Sequence, residues 1–292
     1  MPVHITSRSD AEAIIREQVV STIFQDAPKQ SVFMSMARKL PNMTSDQTRI
    51  RVLDFLPTAY WVDGDTGMKQ TSRQAWDNVY LDAAELAVIV PIPEAVLDDA
   101  EFDIFGEITP RVNEAIGQRV DSAIIFGVNR PRVWQNDIIT LARQAGNNVA
   151  PGSTPDYYNL LLGENGVISK VEEDGYMATG ALAAMGMRAK LRGIKATDGT
   201  PIFKSDMQGS TNYALDGAPM YFPQNGAYDN SIAQLIVGDF KQAVYAIRQD
   251  VTVKILDQGV IQDPITKDIV YNLAQQDMVA LRIVFRMGWA LP

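Results

Sequence analysis

Between Asp103 and Phe126 the sequence reads DIFGEITPRVNEAIGQRVDSAIIF. Its apolar residues recur at every fourth position: Ile104, Ile108, Val112, Ile116, Val120 and Ile124. Phe105, Ala115 and Ala123 widen the stripe. This spacing predicts one amphipathic helix about 36 Å long at 1.5 Å per residue, longer than most globular helices. Asp103 suits the N-cap, where its carboxylate accepts from first-turn amides. Gly127 suits the residue just past the end. Pro110 lies inside the pattern and would clash with the carbonyl of Gly106, so a kink is expected there. The remaining segments are read as arranged around it.

Before the helix the chain reads as arms and hairpins. Residues 10–40 begin with a helical pattern on Ala11, Ile14, Ile15, Gln18 and Val19, ended by Asp26-Ala27-Pro28. Ser31–Leu40 reads as a short helix or an extended arm, which must dock on the body or on a neighbour. Thr48–Val62 and Ala75–Ile92 read as two extended stretches around a polar tip, Asp63–Arg73. Each arm of about 15 residues would reach about 50 Å. A two-stranded hairpin is marginal alone in water, so this one is expected to lie on another subunit or to be mobile. Pro91-Ile92-Pro93 is expected to close it, and Glu94–Leu97 to start a short helix.

After the long helix the pattern is mixed. Ile138–Gln144 reads as helical and Ala145–Asp156 as loop. Tyr157–Leu162 and the apolar run Tyr176–Met187 follow, and the small residues of Gly180–Gly186 suit close helix packing. Lys190–Gly199 reads as a helix end and turn, and Asp216–Phe222 as one strand. From Ala233 the chain turns β, with strands at Leu235–Val237, Ala243–Ile247, Val251–Leu256 and Met278–Phe285. The last alternates Val279, Leu281, Ile283 and Phe285 with Ala280, Arg282 and Val284, as a strand packed on one face does.

Composition narrows the chemistry. The 292 residues include no cysteine, so thiol chemistry and disulfides find no residues, and a single histidine, His4 near the N-terminus, which argues against serine–histidine catalysis and multi-histidine zinc sites. A net charge of −9 argues against a protein that coats nucleic acid over its whole surface. No apolar run approaches the roughly 20 residues of a membrane span, and the N-terminus lacks a signal-peptide core, so a cytosolic protein is expected. Asp63-Gly-Asp65-Thr-Gly67 opens like a calcium loop, but Gln74 stands where a bidentate glutamate is needed. Gly180–Gly186 lacks the lysine of a phosphate loop. Glu172-Glu173-Asp174 reads as a solvated run, and Asp98, Asp99, Glu101 and Asp103 as acids favoured at a helix start. Tyr60, Trp61, Trp76 and Tyr80 suit cross-strand or intersubunit packing better than a base platform. No catalytic constellation survives, and no cofactor or metal is implied.

The order of parts resembles the major capsid proteins of tailed double-stranded DNA bacteriophages, the Hong Kong phage type of capsid fold. The resemblance rests on AELAVIVPIPEAVLDDAEFDI (83–104), DSAIIFG (121–127), GDFKQAVYAIRQDVTVKI (238–255) and MVALRIVFRMGWAL (278–291), in that order over nearly the whole chain. It implies an α+β fold: an N-terminal arm (1–45), an extension-loop β-hairpin (46–92), a peripheral domain with a long spine helix (93–128), an α/β axial domain (129–235), and return strands of both domains (236–292). It implies a structural protein, not an enzyme, that builds an icosahedral virion shell from hexamers and pentamers of itself around packaged double-stranded DNA, in the bacterial host cytoplasm. A portal and a decoration protein are further implied partners, with no membrane. The chain starts close to its arm, so scaffolding is expected from a separate protein, or a leader to be already removed. Intersubunit contact is expected at Tyr60, Trp61, Lys69 and Trp76. A covalent cross-link in some relatives would here involve Lys69 with Asn272 and Asp277, although the usual glutamate is not matched. Two alternatives stand beside this reading: an encapsulin-type shell of the same fold with protein cargo, and a carboxylate-based hydrolase using Asp63–Asp65 or Asp98–Asp103.

Overall fold

The computed structural model describes residues 31–55, 57, 59, 61, 71–72, 75–99, 104–152, 155–196, 198–203, 213–263 and 265–292. The order up to the long helix is α1 (Val32–Met36), β1 (Arg38–Lys39), β2 (Gln47–Phe55), β3 (Ala75–Asp82), β4 (Ala84–Pro93), α2 (Glu94–Asp99) and α3 (Ile104–Phe126). Then come α4 (Ile138–Gln144), α5 (Tyr157–Leu162), α6 (Val167–Glu173), β5 (Gly180–Ala183), α7 (Met187–Arg192), β6 (Ala214–Leu215), β7 (Ala218–Tyr221) and β8 (Leu235–Gly238). Last are β9 (Val244–Leu256), β10 (Val260–Gln262), β11 (Ile269–Asn272) and β12 (Met278–Ala290).

The long helix forms where its periodicity places it. Val112, Ile116, Val120, Ala123 and Ile124 are buried along one face. α3 continues unbroken through Pro110. The one backbone bond that proline removes would have gone to Gly106, which is exposed, so its carbonyl is left to water. Asp103, the expected N-cap, lies outside the described residues. Gly127 follows the helix with φ +72, and a Cβ there would sit 2.7 Å from Asp137 Oδ1, so glycine is required for both conformation and space.

α3 lies on a four-stranded sheet of order β1-β9-β12-β4. Register sets Leu281 opposite Val90, Ile283 opposite Val88 and Phe285 opposite Leu86, which brings the alternating residues of both strands onto the helix. Two expectations change here. β9 is one strand of 13 residues, because register shifts opposite Arg286 carry it past the polar Arg248-Gln249-Asp250 stretch. β12 runs on to Ala290, because Met287 and Trp289 extend the buried row. Its other face is not simply solvated either, since Ala280 and Val284 are also buried.

The extended stretch Ala75–Ile92 divides between two sheets. β3 pairs with β2 from Gln47↔Asp82 to Phe55↔Ala75, whereas β4 crosses into the main sheet. The break is at Ala83, whose amide donates to the Asp46 carbonyl at 2.7 Å. Pro91 and Pro93 therefore close no hairpin. They sit on β4, an edge strand, where a missing N–H is tolerated. Leu81, Met43, Val244, Ala246 and Ala290 pack together at the hairpin root. There Trp134 Nε1 donates to the Asp82 carbonyl at 3.0 Å, and Arg248 pairs with Asp46. Gly288 permits this crossing, because an added Cβ would lie 2.9 Å from the Asp82 carbonyl oxygen. Gly288→Ala is expected to cost about 1–3 kcal/mol through overpacking against backbone that cannot yield; an unchanged urea midpoint would contradict this crossing.

A second core gathers Leu161, Ile168, Ala181, Ala183, Met187, Leu191 and Tyr213. It surrounds a sheet of order β6-β7-β5-β8. The small-residue run Gly180–Ala183 is its fully buried strand β5, not a packed helix. Four residues are too few for a helix to compete, and small side chains let neighbouring layers approach closely. Asp216 and Gly217 have φ +47 and +78 and form the tight turn between β6 and β7, so Asp216–Phe222 is not one strand. β10 and β11 make a separate two-stranded ribbon.

Candidate assembly interface

The arm docks on the body through one buried carboxylate. Asp121, 1% exposed on α3, accepts from Ser31 Oγ at 2.5 Å, Val32 N at 3.0 Å, Phe33 N at 3.2 Å and Asn225 Nδ2 at 2.7 Å. Ser31 also caps α1, accepting from the Met34 amide at 3.2 Å. Burial pushes the Asp121 carboxyl above its ordinary range, while the four donors pull it back. The α1 segment thus borrows its first-turn partner from a helix some 90 residues away in sequence. Phe33 follows into the core and meets Trp289 edge-on at 5.9 Å. β1 then adds in parallel to β9, with Leu40 N donating to the Tyr245 carbonyl at 2.8 Å. Asp121 was not among the residues expected to matter. Its signal was present: an acid inside the last turns of an apolar helix, where the dipole disfavours it.

Of the residues expected at contacts, Tyr60 and Lys69 lie outside the described residues. Trp61 is fully exposed, and Trp76 sits on β3 opposite Leu53. Asn272 and Asp277 belong to one turn leading into β12. The Asn272 side chain donates to Gln275 at 2.7 Å, and the Asp277 carbonyl accepts from the Glu94 amide at 2.9 Å. Among the acids, Asp98 and Asp99 are exposed on α2. Glu173 takes Lys170 at 2.7 Å, and Asp174 takes the Asn147 amide at 2.5 Å. Asp63, Asp65 and His4 lie outside the described residues. Among the described residues no cluster of three His, Asp or Glu side chains could hold a metal.

What the arrangement offers is exposed apolar and cationic surface. Arg49, Arg51 and Tyr80 are exposed, and register sets Arg49 opposite Tyr80 on one face of the β2–β3 hairpin. The β10–β11 ribbon exposes Ile265, Ile269, Val270 and Tyr271, of which Ile265 is 89% exposed. A cleft of about 770 Å³ lies between α4, α5, α6 and β8, and its Lys170 and Asp174 already have partners. Isolated two-stranded ribbons carrying this much apolar surface are marginal in water and suit contact with another chain.

Residues 11–291 match the phage capsid family. The chain is 26% identical over 289 residues to the major capsid protein of Staphylococcus phage 80alpha, covering 98% of this chain and 84% of that one. A solved chain from Microbacterium phage Oxtober96 superposes with a TM-score of 0.86 at 32% identity, covering 99% of this chain and 93% of that one. One from Mycobacterium phage Cain gives 0.82 at 31% identity, covering 98% and 92%.

Proposed function

The chain belongs to the phage capsid family as a major capsid protein with the Hong Kong phage-type fold, and from that premise we propose that its copies close, through hexamers and pentamers, into an icosahedral shell around double-stranded DNA. The observation that carries the assembly route is the β2–β3 hairpin. It is a sheet of its own, anchored to the body at its root, with Arg49, Arg51, Tyr80 and Trp61 left to solvent. A heterologous contact of this kind, repeated around a ring, closes when the rotation permits. Many modest contacts then add by avidity.

On this reading residues 1–45 are the arm, 46–92 the extension loop, 93–128 the peripheral domain with its spine helix, 129–235 the axial domain and 236–292 the return strands. The role is structural and not catalytic. Its relatives are phage proteins, which supports DNA over enzyme cargo inside the shell. Scaffolding, portal and decoration proteins would join it in the bacterial cytoplasm, where the particle is built.

Negative-stain electron microscopy with light scattering tests this. The intact chain is expected to give closed shells, or rings of five and six, alone or with a scaffolding protein. A variant in which a short glycine-containing turn replaces residues 56–74 is expected to keep its unfolding midpoint and lose those assemblies. An intact chain that stays monomeric under every condition refutes the reading. Normal shells from the shortened variant would remove the hairpin from it.

A further inference from the structure

One face of the main sheet is covered by α3, and the other is covered at its β1 end by the hairpin root, where Val244, Ala246 and Ala290 pack against Leu81 and Met43, which leaves uncovered the part of that face at Lys254, Arg282 and Ile89. We propose that this uncovered part, centred on Lys254 and Arg282, seats the acidic α2 segment of a second copy of this chain; the inference rests on the shell reading above. Register places Lys254, Arg282 and Ile89 in one row across β9, β12 and β4. The flanking rows are Leu256–Ala280–Pro91 and Thr252–Val284–Ala87, mostly apolar. Ile89 is 45% exposed, and Lys254 and Arg282 are both exposed.

Two cations directly opposite each other on a sheet repel. Among the described residues neither has an ion pair or side-chain hydrogen bond. Further along the same face Arg286 does find an acid, Glu85 of β4. The sheet can thus neutralise a cation and does not do so at its centre. This is unusual in a chain of net charge −9. An unrelieved local cost of this kind marks a contact completed elsewhere.

The complementary charge is on α2. Glu94, Asp98 and Asp99 are exposed, and none is paired with a cation among the described residues. They do not serve their own sheet. Glu94 begins where β4 ends, five residues beyond Ile89, about 16 Å along the strand at 3.3 Å per residue. A second copy can bring its α2 over the row. Phosphate is the weaker match, because two cations beside Ile89, Ala87 and Val284 make an apolar patch with few counter-charges, unlike the basic stripe that holds a nucleic-acid backbone.

The test uses particles assembled from an equal mixture of unlabelled and nitrogen-15-labelled chains. A water-soluble carbodiimide joins a lysine amine to a carboxylate in contact, with loss of water, and mass spectrometry reads the joined peptides. Lys254 is expected to join Glu94, Asp98 or Asp99 in mixed-isotope pairs. Lys254→Glu with Arg282→Glu is expected to lower particle yield on the order of ten-fold or more, and adding Glu94→Lys, Asp98→Lys and Asp99→Lys to restore it. The unassembled Lys254→Gln with Arg282→Gln variant should unfold no earlier than the parent, since the repulsion between the two opposed cations is removed. Lys254→Gln with Arg282→Gln keeps both stems over the sheet and gives the same direction if charge reversal prevents folding. Same-chain links only, links from Lys254 to residues before 31, or unchanged yield with reduced DNA content would each overturn the proposal. Absence of particles from the parent chain counts against the shell reading, whereas particles without Lys254 links count against this inference alone.

Discussion

Trp289→Ala should lower the stability of the unassembled subunit by about 3–5 kcal/mol, enough to leave many domains unfolded at physiological temperature. Trp289 is 1% exposed on β12, near the end of the row Leu281, Ile283, Phe285 and Met287 that α3 covers. It also packs edge-on against Phe33, so its loss opens a cavity where the arm, the sheet and the long helix meet. Its indole N–H is buried without a hydrogen-bond partner. An unsatisfied donor costs about 1–3 kcal/mol, so Trp289→Phe removes that cost while keeping most of the ring. The phenylalanine variant is therefore expected to lie much closer to the parent than to the alanine variant. Urea unfolding followed by circular dichroism reads both. Equal losses for the two variants would show that the indole N–H contributes and that the cavity account is incomplete.

Asp121→Ala is expected to cost about 3–5 kcal/mol for a different reason: it removes the carboxylate that accepts from four donors, three of them in buried hydrogen bonds. The damage should be local as well as global. Limited proteolysis is expected to cut between residues 31 and 45 well before the body unfolds, because α1 loses its anchor. Asp121→Asn keeps the shape but turns a donor toward other donors, and should fall between parent and alanine.

The pH dependence of Asp121 has a definite sign. Burial raises its folded pKa above the ordinary 3.8, so the folded state holds the proton longer than the unfolded chain. Its contribution to stability is then fully present below about pH 4 and is lost as pH rises through the raised value. The exposed Asp198, Asp229 and Asp263 carry the opposite sign. Hydrogen bonds hold their carboxyls low, and what they contribute is lost as pH falls. The advantage of the parent over Asp121→Asn should therefore shrink as pH rises from about 4. An advantage that grows would show that the four donors outweigh burial.

Much of the architecture was legible because it is written in periodicity. The four-residue spacing from Ile104 to Ile124 specifies which face of α3 is buried, whatever it packs on. The alternation from Val279 to Phe285 specifies a strand in the same way. Pairing partners are less legible, since a strand of alternating residues fits more than one sheet. That is why Ala75–Ile92 reads as one arm until the Ala83–Asp46 bond splits it, and why Gly180–Ala183 reads as helix packing until β7 and β8 flank it.

The candidate site divides along the same line. Sequence singled out the hairpin and its aromatics, because a long two-stranded excursion cannot be stable alone. It did not single out Asp121, Lys254 or Arg282. An isolated acid or base carries no pattern of its own, and its meaning depends on what stands within about 4 Å of it. Only tertiary packing brings Ser31, Val32, Phe33 and Asn225 around one carboxylate, and only strand register sets Lys254 against Arg282. By itself, then, the sequence determined the elements, the order of parts and the family to which that order belongs, because hydrophobic period and chain order are local, one-dimensional properties. Tertiary structure alone decided where charge is buried, satisfied or left unneutralised, because electrostatic energy depends on distances between residues far apart along the chain.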